Sequence, residues 1–180
     1  MTSPLSSPTS RPVVRRVVLS LGSNQGDRLA MLQGAVETLA DTPDFELLSV
    51  SAVYETDPVG GPAQPDFLNA VVIGEGPQSP RTMLERALAV ETAYDRVRDV
   101  RWGPRSLDVD VIAVGDLTVD DDDLQVPHPR AVERPFVLVP WLDADPDAAV
   151  PGAGPVAWLL AGLDTSGVRE RPDLVLTVPL

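Results

Sequence analysis

Residues 106–115, SLDVDVIAVG, alternate polar and apolar side chains and then run into an apolar stretch closed by a glycine. This pattern predicts a strand from about Leu107 to Val114. On a strand, side chains two residues apart project from the same face, about 6.6 Å apart along the chain. Asp108 and Asp110 therefore share one face, while Val109 points the other way into a core.

Upstream of this strand, the chain predicts a first strand and helix. Residues from about Val13 to Leu21 are rich in β-branched side chains and end in a Gly-Ser-Asn turn, which is typical of a strand. From Arg28 to about Ala40, apolar residues recur every three or four positions behind Asp27, a candidate N-cap. An amphipathic helix is expected there.

Two further strands and a second helix are predicted between the first helix and the strand that carries the aspartate pair. The strands are Phe45 to Tyr54 and Phe67 to Gly74, and the helix begins near Ser79 or Pro80 and continues to about Asp95. The resulting order, strand, helix, strand, strand, helix, strand, predicts an α+β fold, a ferredoxin-like βαββαβ sandwich. The connector at residues 55–66, ETDPVGGPAQPD, is too long for a tight hairpin and is either a functional loop or an irregular connection.

The two ends of the chain carry weaker signals. Residues 1–14 are expected to be a disordered tail, because prolines interrupt any amphipathic helix there, and 15–180 to form a single domain. From Asp116 onward the chain is rich in proline and aspartate, which predicts a loop-rich C-terminal extension. Within it we expect short helices near 134–142 and 156–163 and a strand near 174–178.

Composition excludes several classes of function. A net charge of −13 disfavours a nucleic-acid partner, and no apolar run is long enough for a membrane helix. All 14 basic residues are arginine, so a P-loop enzyme has no candidate lysine. Without cysteine, no disulfide or thiolate site is possible, which fits a cytoplasmic protein.

The aspartate pair is a candidate metal site. Two carboxylates without sulfur or imidazole neighbours suit Mg²⁺, which shares its shell with substrate phosphates. The alternative is an exposed polar strand face. Arginines cluster on either side of the pair, and their guanidinium groups suit bidentate phosphate contacts, although some are expected to form surface ion pairs. These arginines are Arg96, Arg98, Arg101, Arg105, Arg130 and Arg134.

Two other residues have unusual positions. Glu91 falls at the edge of the buried stripe of the second helix, where a carboxylate is costly unless it has a partner or a ligand. His128 is the single histidine and lies between two prolines. It is either structural or a donor to a phosphate oxygen.

Four blocks together carry a family resemblance. The string RWGPRSLDVDV (101–111), with LGSNQGD (21–27), FLNAV (67–71) and VPHPRAVERPF (126–136), resembles the hydroxymethyldihydropterin pyrophosphokinase family. The blocks follow the family's order along the chain, and RWGPRSLDVDV is the highly specific one. The resemblance implies an enzyme that uses ATP and two Mg²⁺ ions to transfer a pyrophosphoryl group to 6-hydroxymethyl-7,8-dihydropterin, with release of AMP, in folate biosynthesis. A monomer without membrane or nucleic-acid partners is expected.

The resemblance also implies a role for each matching residue. Asp108 and Asp110 match the metal ligands, and Arg96 and Arg105 match catalytic arginines. Residues matching positions near ATP are Glu91, Arg98, Arg101, His128 and Arg134. Residues matching the pterin pocket are Thr56, Pro58, Val59, Phe67, Asn69, Trp102 and Phe136.

Two rival functions remain open on the residues alone. One is a non-catalytic ligand-binding module of the same architecture, which would need no aspartate pair beside arginines. The other is a different Mg²⁺-dependent phosphotransferase or nucleotidyltransferase, which AMP or ADP as product would distinguish.

Overall fold

The structure, a computed structural model, describes residues 11–94 and 106–180. Its centre is a six-stranded antiparallel sheet formed by β1 (Arg15–Ser23), β2 (Glu46–Val50), β3 (Tyr54–Thr56), β4 (Phe67–Gly76), β5 (Asp108–Val114) and β10 (Val168–Glu170). The strands lie in the order β10, β3, β4, β1, β5, and β2 pairs with the far end of β4. The fold is thus a mixed α/β arrangement around an antiparallel sheet.

Two helices cover one face of the sheet. They are α1 (Arg28–Ala40) and α2 (Pro80–Ala93), and each begins at the N-cap that the sequence predicts. The Asp27 carboxylate accepts from the Ala30 N–H at 3.1 Å, and the Ser79 hydroxyl accepts from the Thr82 N–H at 3.1 Å. These bonds satisfy backbone donors that the first turn leaves open. The apolar stripes of α1 and α2 pack on the odd-numbered residues of β1, including Leu19 and Leu21.

Two further helices cover the opposite face. They are α3 (Pro135–Ala144) and α4 (Val156–Ala161), close to the two short helices expected there. Val18, Ile73 and Ile112 from three neighbouring strands pack with Trp141 in a second apolar cluster. In the described residues the sheet therefore separates two layers of helices, two on each face.

Short elements complete this half of the molecule. They are β6 (Val119–Asp120), β7 (Gln125–Val126), the 3₁₀ turn Ala131–Glu133, β8 (Ala149–Val150) and β9 (Gly154–Pro155). The Val126–Pro127 peptide is cis. β6, β7 and the 3₁₀ turn connect β5 to the start of α3, whereas β8 and β9 form an antiparallel pair between α3 and α4.

The expected second strand is interrupted. Pairing with β4 stops at Val50, and β3 resumes only at Tyr54. Between them, the Ser51 hydroxyl accepts from the Val71 N–H at 2.9 Å, while the Ser51 N–H donates to the Val71 carbonyl at 2.9 Å. A side chain thus replaces one ladder acceptor, and the strand divides at this point.

The expected C-terminal strand is placed differently. Residues 171–180 form no strand; instead β10 pairs with β3 a few residues earlier. Leu174 and Leu176 are partly buried against the α1 side of the core, so their apolar character reflects packing and not strand pairing. Across the described residues, none of the helices has the length and apolar character needed to cross a membrane.

Candidate active site

The aspartate pair faces the α3 side of the sheet. Along β5, Val109 and Val111 belong to the cluster under α1 and α2, while Ile112 belongs to the cluster under α3. Strand alternation therefore places Asp108 and Asp110 on the same face as Ile112, as the sequence predicts. Both carboxylates lie at the end of the sheet where the α3 layer leaves space.

The neighbouring strands bring polar and small residues alongside the pair. In register, Asp108 lies opposite Gly22 of β1, and Gly22 lies opposite Asn69 of β4. Asp110 lies opposite Ser20 in the same way. A β-carbon added to Gly22 would lie 3.0 Å from Asn69 Oδ1, so the absence of a side chain at Gly22 keeps this row open.

A cavity of about 450 Å³ opens above this row. We call it the larger cavity; its lining residues are Ser20, Gly22, Thr56, Asp57, Val59, Gln64, Phe67, Asn69, Asp108, Asp110, Arg130, Glu133, Arg134 and Phe136. Aromatic rings, an amide and carboxylates thus surround one space, which suits a flat heterocycle that carries hydrogen-bonding edges.

Asn69 has a fixed orientation in this wall. Its Nδ2 donates to the Thr56 hydroxyl, and both side chains are buried. Because the amide donor is used in this way, Asn69 Oδ1 is the atom turned toward Gly22 and the cavity floor. The site therefore presents an acceptor to any ligand edge that carries N–H groups.

Arg134 and Phe136 come from the start of α3. The Arg134 guanidinium carbon lies 5.6 Å from the centroid of the Phe136 ring. This cation–π distance holds a positive charge beside an aromatic face at the mouth of the cavity. The arrangement can accept a stacked ring and an anionic group together.

A second space, of about 260 Å³, lies on the other side of Asp110. We call it the smaller cavity; its lining residues are Leu84, Val109, Asp110, Val111, Asp122, Asp123, Leu124, Gln125, His128 and Pro129. Asp110 lines both cavities, so one residue of β5 borders the two spaces.

His128 is held neutral in the smaller cavity. Its Nδ1 accepts from the Arg130 N–H at 3.2 Å, which leaves Nε2 as the proton-bearing nitrogen. Desolvation by burial and the positive charges of Arg134 and Arg130 lower the pKa of His128 to about 4, although the Asp108 carboxylate acts in the opposite direction. The imidazole is therefore a neutral donor at physiological pH.

Glu91 contacts the backbone of β5. The residue is 3% exposed, and its Oε1 accepts from the Val109 N–H at 2.8 Å. That N–H lies between the two aspartates in the chain. The contact explains how the α2 stripe accommodates a carboxylate: it is hydrogen-bonded to β5.

The structure brings most of the predicted site residues together. Thr56, Val59, Phe67, Asn69, Asp108, Asp110, Arg134 and Phe136 line the larger cavity, and His128 lines the smaller one. Pro58 is half-buried and lines neither of these two spaces. Arg96, Arg98, Arg101, Trp102 and Arg105 lie outside the described residues.

Sequence reasoning did not assign several residues that line the larger cavity. Ser20 and Gly22 alternate with buried leucines on β1, and this alternation was the available signal for them. Asp57, Gln64 and Glu133 come from loops and a short turn, whose position no local pattern reveals.

The metal-binding capacity of the site rests on two residues. In the described ranges, no group of three or more histidine, cysteine or acidic side chains is placed to hold a metal ion. Mg²⁺ is commonly held by one or two carboxylates together with substrate phosphates and water, so Asp108 and Asp110 fit that ion. Hard oxygen ligands beside arginines are the chemistry that a polyphosphate–metal complex requires.

Comparison with known proteins identifies the family. The sequence model of 7,8-dihydro-6-hydroxymethylpterin-pyrophosphokinase matches residues 18–146. The chain is 47% identical over 162 residues to 2-amino-4-hydroxy-6-hydroxymethyldihydropteridine pyrophosphokinase of Mycobacterium tuberculosis, covering 83% of this chain and 84% of that protein. It is 36% identical over 160 residues to the protein of the same name from Pseudomonas aeruginosa, covering 89% and 99%.

Solved structures give the same fold. A crystal structure of wild-type Plasmodium falciparum HPPK-DHPS with SDX-DHP aligns with a TM-score of 0.67 at 14% identity. The alignment covers 85% of this chain and 45% of that one, so this chain spans less than half of the longer protein. Taken with the sequence matches, this chain belongs to the 7,8-dihydro-6-hydroxymethylpterin-pyrophosphokinase family.

Proposed function

We infer that this protein transfers the pyrophosphoryl group of ATP to 6-hydroxymethyl-7,8-dihydropterin, a step of folate biosynthesis that yields the pterin diphosphate and AMP. The observation that carries this inference is the position of Asp110 on the walls of both cavities. A transfer between two substrates needs a residue that borders both binding sites, and Asp110 meets this requirement.

We assign the pterin to the larger cavity. Thr56, Pro58, Val59, Phe67, Asn69, Trp102 and Phe136 form the proposed pocket. The acceptor Asn69 Oδ1 suits the N–H-bearing edge of a pterin, and Phe136 supplies a stacking face. Pro58 would act through the shape of the loop, since it does not line the cavity.

We assign ATP to the smaller cavity and its surroundings. The proposed nucleotide-binding residues are Glu91, Arg98, Arg101, His128 and Arg134, with Arg96 and Arg105 as catalytic residues. The neutral His128 offers an Nε2–H donor beside Asp110, which suits a phosphate oxygen. The hydrogen bond from the Val109 N–H supports an indirect role for Glu91, in which it fixes β5.

Asp108 and Asp110 would hold Mg²⁺, and we propose two ions, with Asp110 binding both. Bound Mg²⁺ neutralises phosphate charge and orients the reacting groups. The protein's own contribution is to hold both carboxylates on one face of a strand whose other face is fixed in the core. No nucleophilic side chain is needed, because this chemistry depends on positioning and charge neutralisation.

The reaction balances without a further reactant. The hydroxymethyl oxygen forms a bond to the β-phosphorus of ATP and releases its proton to solvent. The bond from that phosphorus to the oxygen bridging the α- and β-phosphates breaks, and AMP leaves with this oxygen. The nearby arginines would stabilise the charge that develops on the transferring group.

We also propose the finer description of the fold. The spatial order β5, β1, β4, then β2 and β3, with α1 and α2 on one face, supports a ferredoxin-like βαββαβ sandwich with a loop-rich C-terminal extension. Both apolar clusters share this sheet, which supports a single domain over 15–180. The net charge of −13 supports a monomer, and the absence of cysteine fits the cytoplasm, where ATP is available.

The experiment follows the nucleotide product. Wild-type protein, ATP, Mg²⁺ and 6-hydroxymethyl-7,8-dihydropterin should give AMP in amounts equal to the pterin consumed. Asp110→Asn, which keeps the side-chain shape but removes the charge, should lower kcat by at least about a hundredfold. Asp116→Asn is the matched control, because Asp116 is exposed on the turn after β5.

Each alternative has its own outcome. ADP in place of AMP would support a simple kinase. No turnover from folded wild-type protein that still binds pterin would support the non-catalytic binding module.

A further inference from the structure

The C-terminal strand β10 contacts the loop that forms one wall of the larger cavity. The loop comprises residues 57–66, and we call it the 57–66 loop. The Arg169 guanidinium lies across its two ends: Nη1 is 2.9 Å from Asp57 Oδ1, and Nη2 is 3.1 Å from Asp66 Oδ2. A single side chain thus joins the first and last residues of the loop.

The backbone of the C-terminal segment supports the same contact. β10 pairs with β3, so that Val168 lies opposite Thr56, and the Asp57 N–H donates to the Gly167 carbonyl at 3.2 Å. A β-carbon on Gly167 would lie 3.1 Å from Asp57 Oδ2, which shows how closely the two segments approach. Without β10, β3 would be an edge strand, as its other neighbour is β4.

The inner side of the 57–66 loop has separate anchors. Asn24 Nδ2 donates to Gln64 Oε1 and to the Pro65 carbonyl, each at 3.0 Å, and Arg28 Nη1 donates to the Asp66 carbonyl at 2.9 Å. These contacts come from the β1–α1 turn and from the first residue of α1, within the family match at 18–146. Arg169 comes from the outer side and from beyond that match.

The 57–66 loop supplies part of the cavity wall. Asp57, Val59 and Gln64 line the larger cavity, and Thr56 and Phe67, which flank the loop, line it as well. Fixing the two ends of a loop reduces the number of conformations its middle can adopt. The position of Val59 and Gln64 in the cavity therefore depends on how firmly both ends are held.

We propose that Arg169 is a positioning residue for the pterin substrate: by pairing with Asp57 and Asp66 it holds the 57–66 loop in the conformation that closes the pterin side of the cavity. This inference rests on the proposed function for its substrate. It assigns a role in substrate binding to the C-terminal segment, which lies outside the catalytic motifs.

Exposure separates this role from general stability. The side chains of Arg169, Asp57 and Asp66 are 44%, 61% and 42% exposed. Exposed ion pairs contribute little to global stability. Removing Arg169 should therefore leave the unfolding temperature nearly unchanged while it releases the loop.

The test compares Arg169→Gln with a matched control, Arg171→Gln. Arg171 is also an arginine of the C-terminal segment that contacts two carboxylates, but its partners are Glu55 and Asp173, outside the loop. Steady-state kinetics should show that Arg169→Gln raises the pterin KM about threefold to tenfold, with the ATP KM and kcat within about twofold. Arg171→Gln should leave the pterin KM within about twofold.

Two further variants test the geometry. Arg169→Lys keeps the charge but presents a single ammonium group, so its pterin KM should fall between those of wild type and Arg169→Gln. Asp66→Asn should raise the pterin KM, and in combination with Arg169→Gln it should add little, because the two changes remove the same contact.

A substrate-free measurement makes the result independent of the proposed reaction. Hydrogen exchange in the peptide that covers residues 54–67 should be faster in Arg169→Gln than in wild type and in Arg171→Gln. An unchanged exchange rate, or an unchanged pterin KM in an active enzyme, would overturn the inference. If wild type makes no AMP, the proposed function fails, and the exchange rate together with the Kd for the pterin then decides the role of Arg169 in the same way.

Discussion

The hydrogen bond between Asn69 and Thr56 gives a sharp test of how the larger cavity recognises its ligand. Both side chains are buried, at 4% and 3% exposure, and the Asn69 amide donates to the Thr56 hydroxyl. Thr56→Val keeps the shape and the β-branched character that a strand favours but removes this acceptor. The Asn69 amide then loses its partner and its fixed orientation.

The expected cost follows from that loss. A buried donor without a partner costs about 1–3 kcal/mol. A value of about 2 kcal/mol would lower the Tm of a chain of this size by about 4–8 °C. The pterin KM should rise about tenfold, which corresponds to about 1.4 kcal/mol, because Asn69 Oδ1 no longer has a single orientation.

Thr56→Ser provides the control, since serine keeps the hydroxyl. Its Tm and its pterin KM should remain closer to wild type than those of Thr56→Val. Thermal unfolding and AMP formation at varied pterin concentration measure the two effects. A Thr56→Val protein with wild-type Tm and wild-type pterin KM would refute the reasoning; a lower Tm with an unchanged KM would show that Asn69 does not read the pterin.

Three further predictions concern other parts of the site. The single imidazole, His128, should titrate with a midpoint of about 4 by NMR in the ligand-free protein. Because its pKa is lowered from 6.5, its contribution to stability is present above pH 6.5 and is lost as the pH falls toward 4. A midpoint near 6.5 would contradict the burial argument. Glu91→Ala should lower the free energy of unfolding, measured in urea, by about 2 kcal/mol. Glu91→Gln should lower it by less, because glutamine keeps an acceptor for the Val109 N–H. Equal losses in the two variants would argue against that hydrogen bond. Gly22→Ala should raise the pterin KM severalfold, because its β-carbon would lie 3.0 Å from Asn69 Oδ1. Gly162→Ala should leave the pterin KM unchanged, because its β-carbon would meet its nearest atom at 3.7 Å. Equal KM values for the two variants would show that the floor of the larger cavity tolerates a methyl group.

The helices and most strands could be predicted because their signals are local. Asp27 and Ser79, as N-cap residues, predict the starts of α1 and α2, and the spacing of the apolar residues predicts which face of each helix is buried. The strand division at Ser51 could not be predicted, because the pattern of residues 45–54 does not reveal that a serine hydroxyl replaces a backbone acceptor. Bonds of this kind depend on the partner strand and are decided only in the folded chain.

The candidate site was predictable where chemistry and periodicity coincide. Asp108 and Asp110 alternate with buried valines, so their shared face follows from the strand itself. By contrast, Asp57 and Glu133 reach the cavity through long-range packing of irregular segments. The prediction of a strand near 174–178 is wrong for a related reason. Leu174 and Leu176 carry the stronger apolar signal, but they pack against the core without strand pairing. The segment that pairs is Val168–Glu170, and its partners lie more than a hundred residues away in the chain.

The pairing of β10 with β3 has a consequence for the order of folding during synthesis. Chains emerge from the ribosome N-terminus first, and early segments begin to fold before late ones are made. β3 can pair with β4 as soon as both have emerged, but its second neighbour begins only at Val168. A nascent chain can therefore assemble β5 and the central sheet while the contacts from β10 to the 57–66 loop are still absent. Substrate binding should consequently mature only after β10 has emerged, and chains that stop short of β10 would be folded at the centre and incomplete at the pocket.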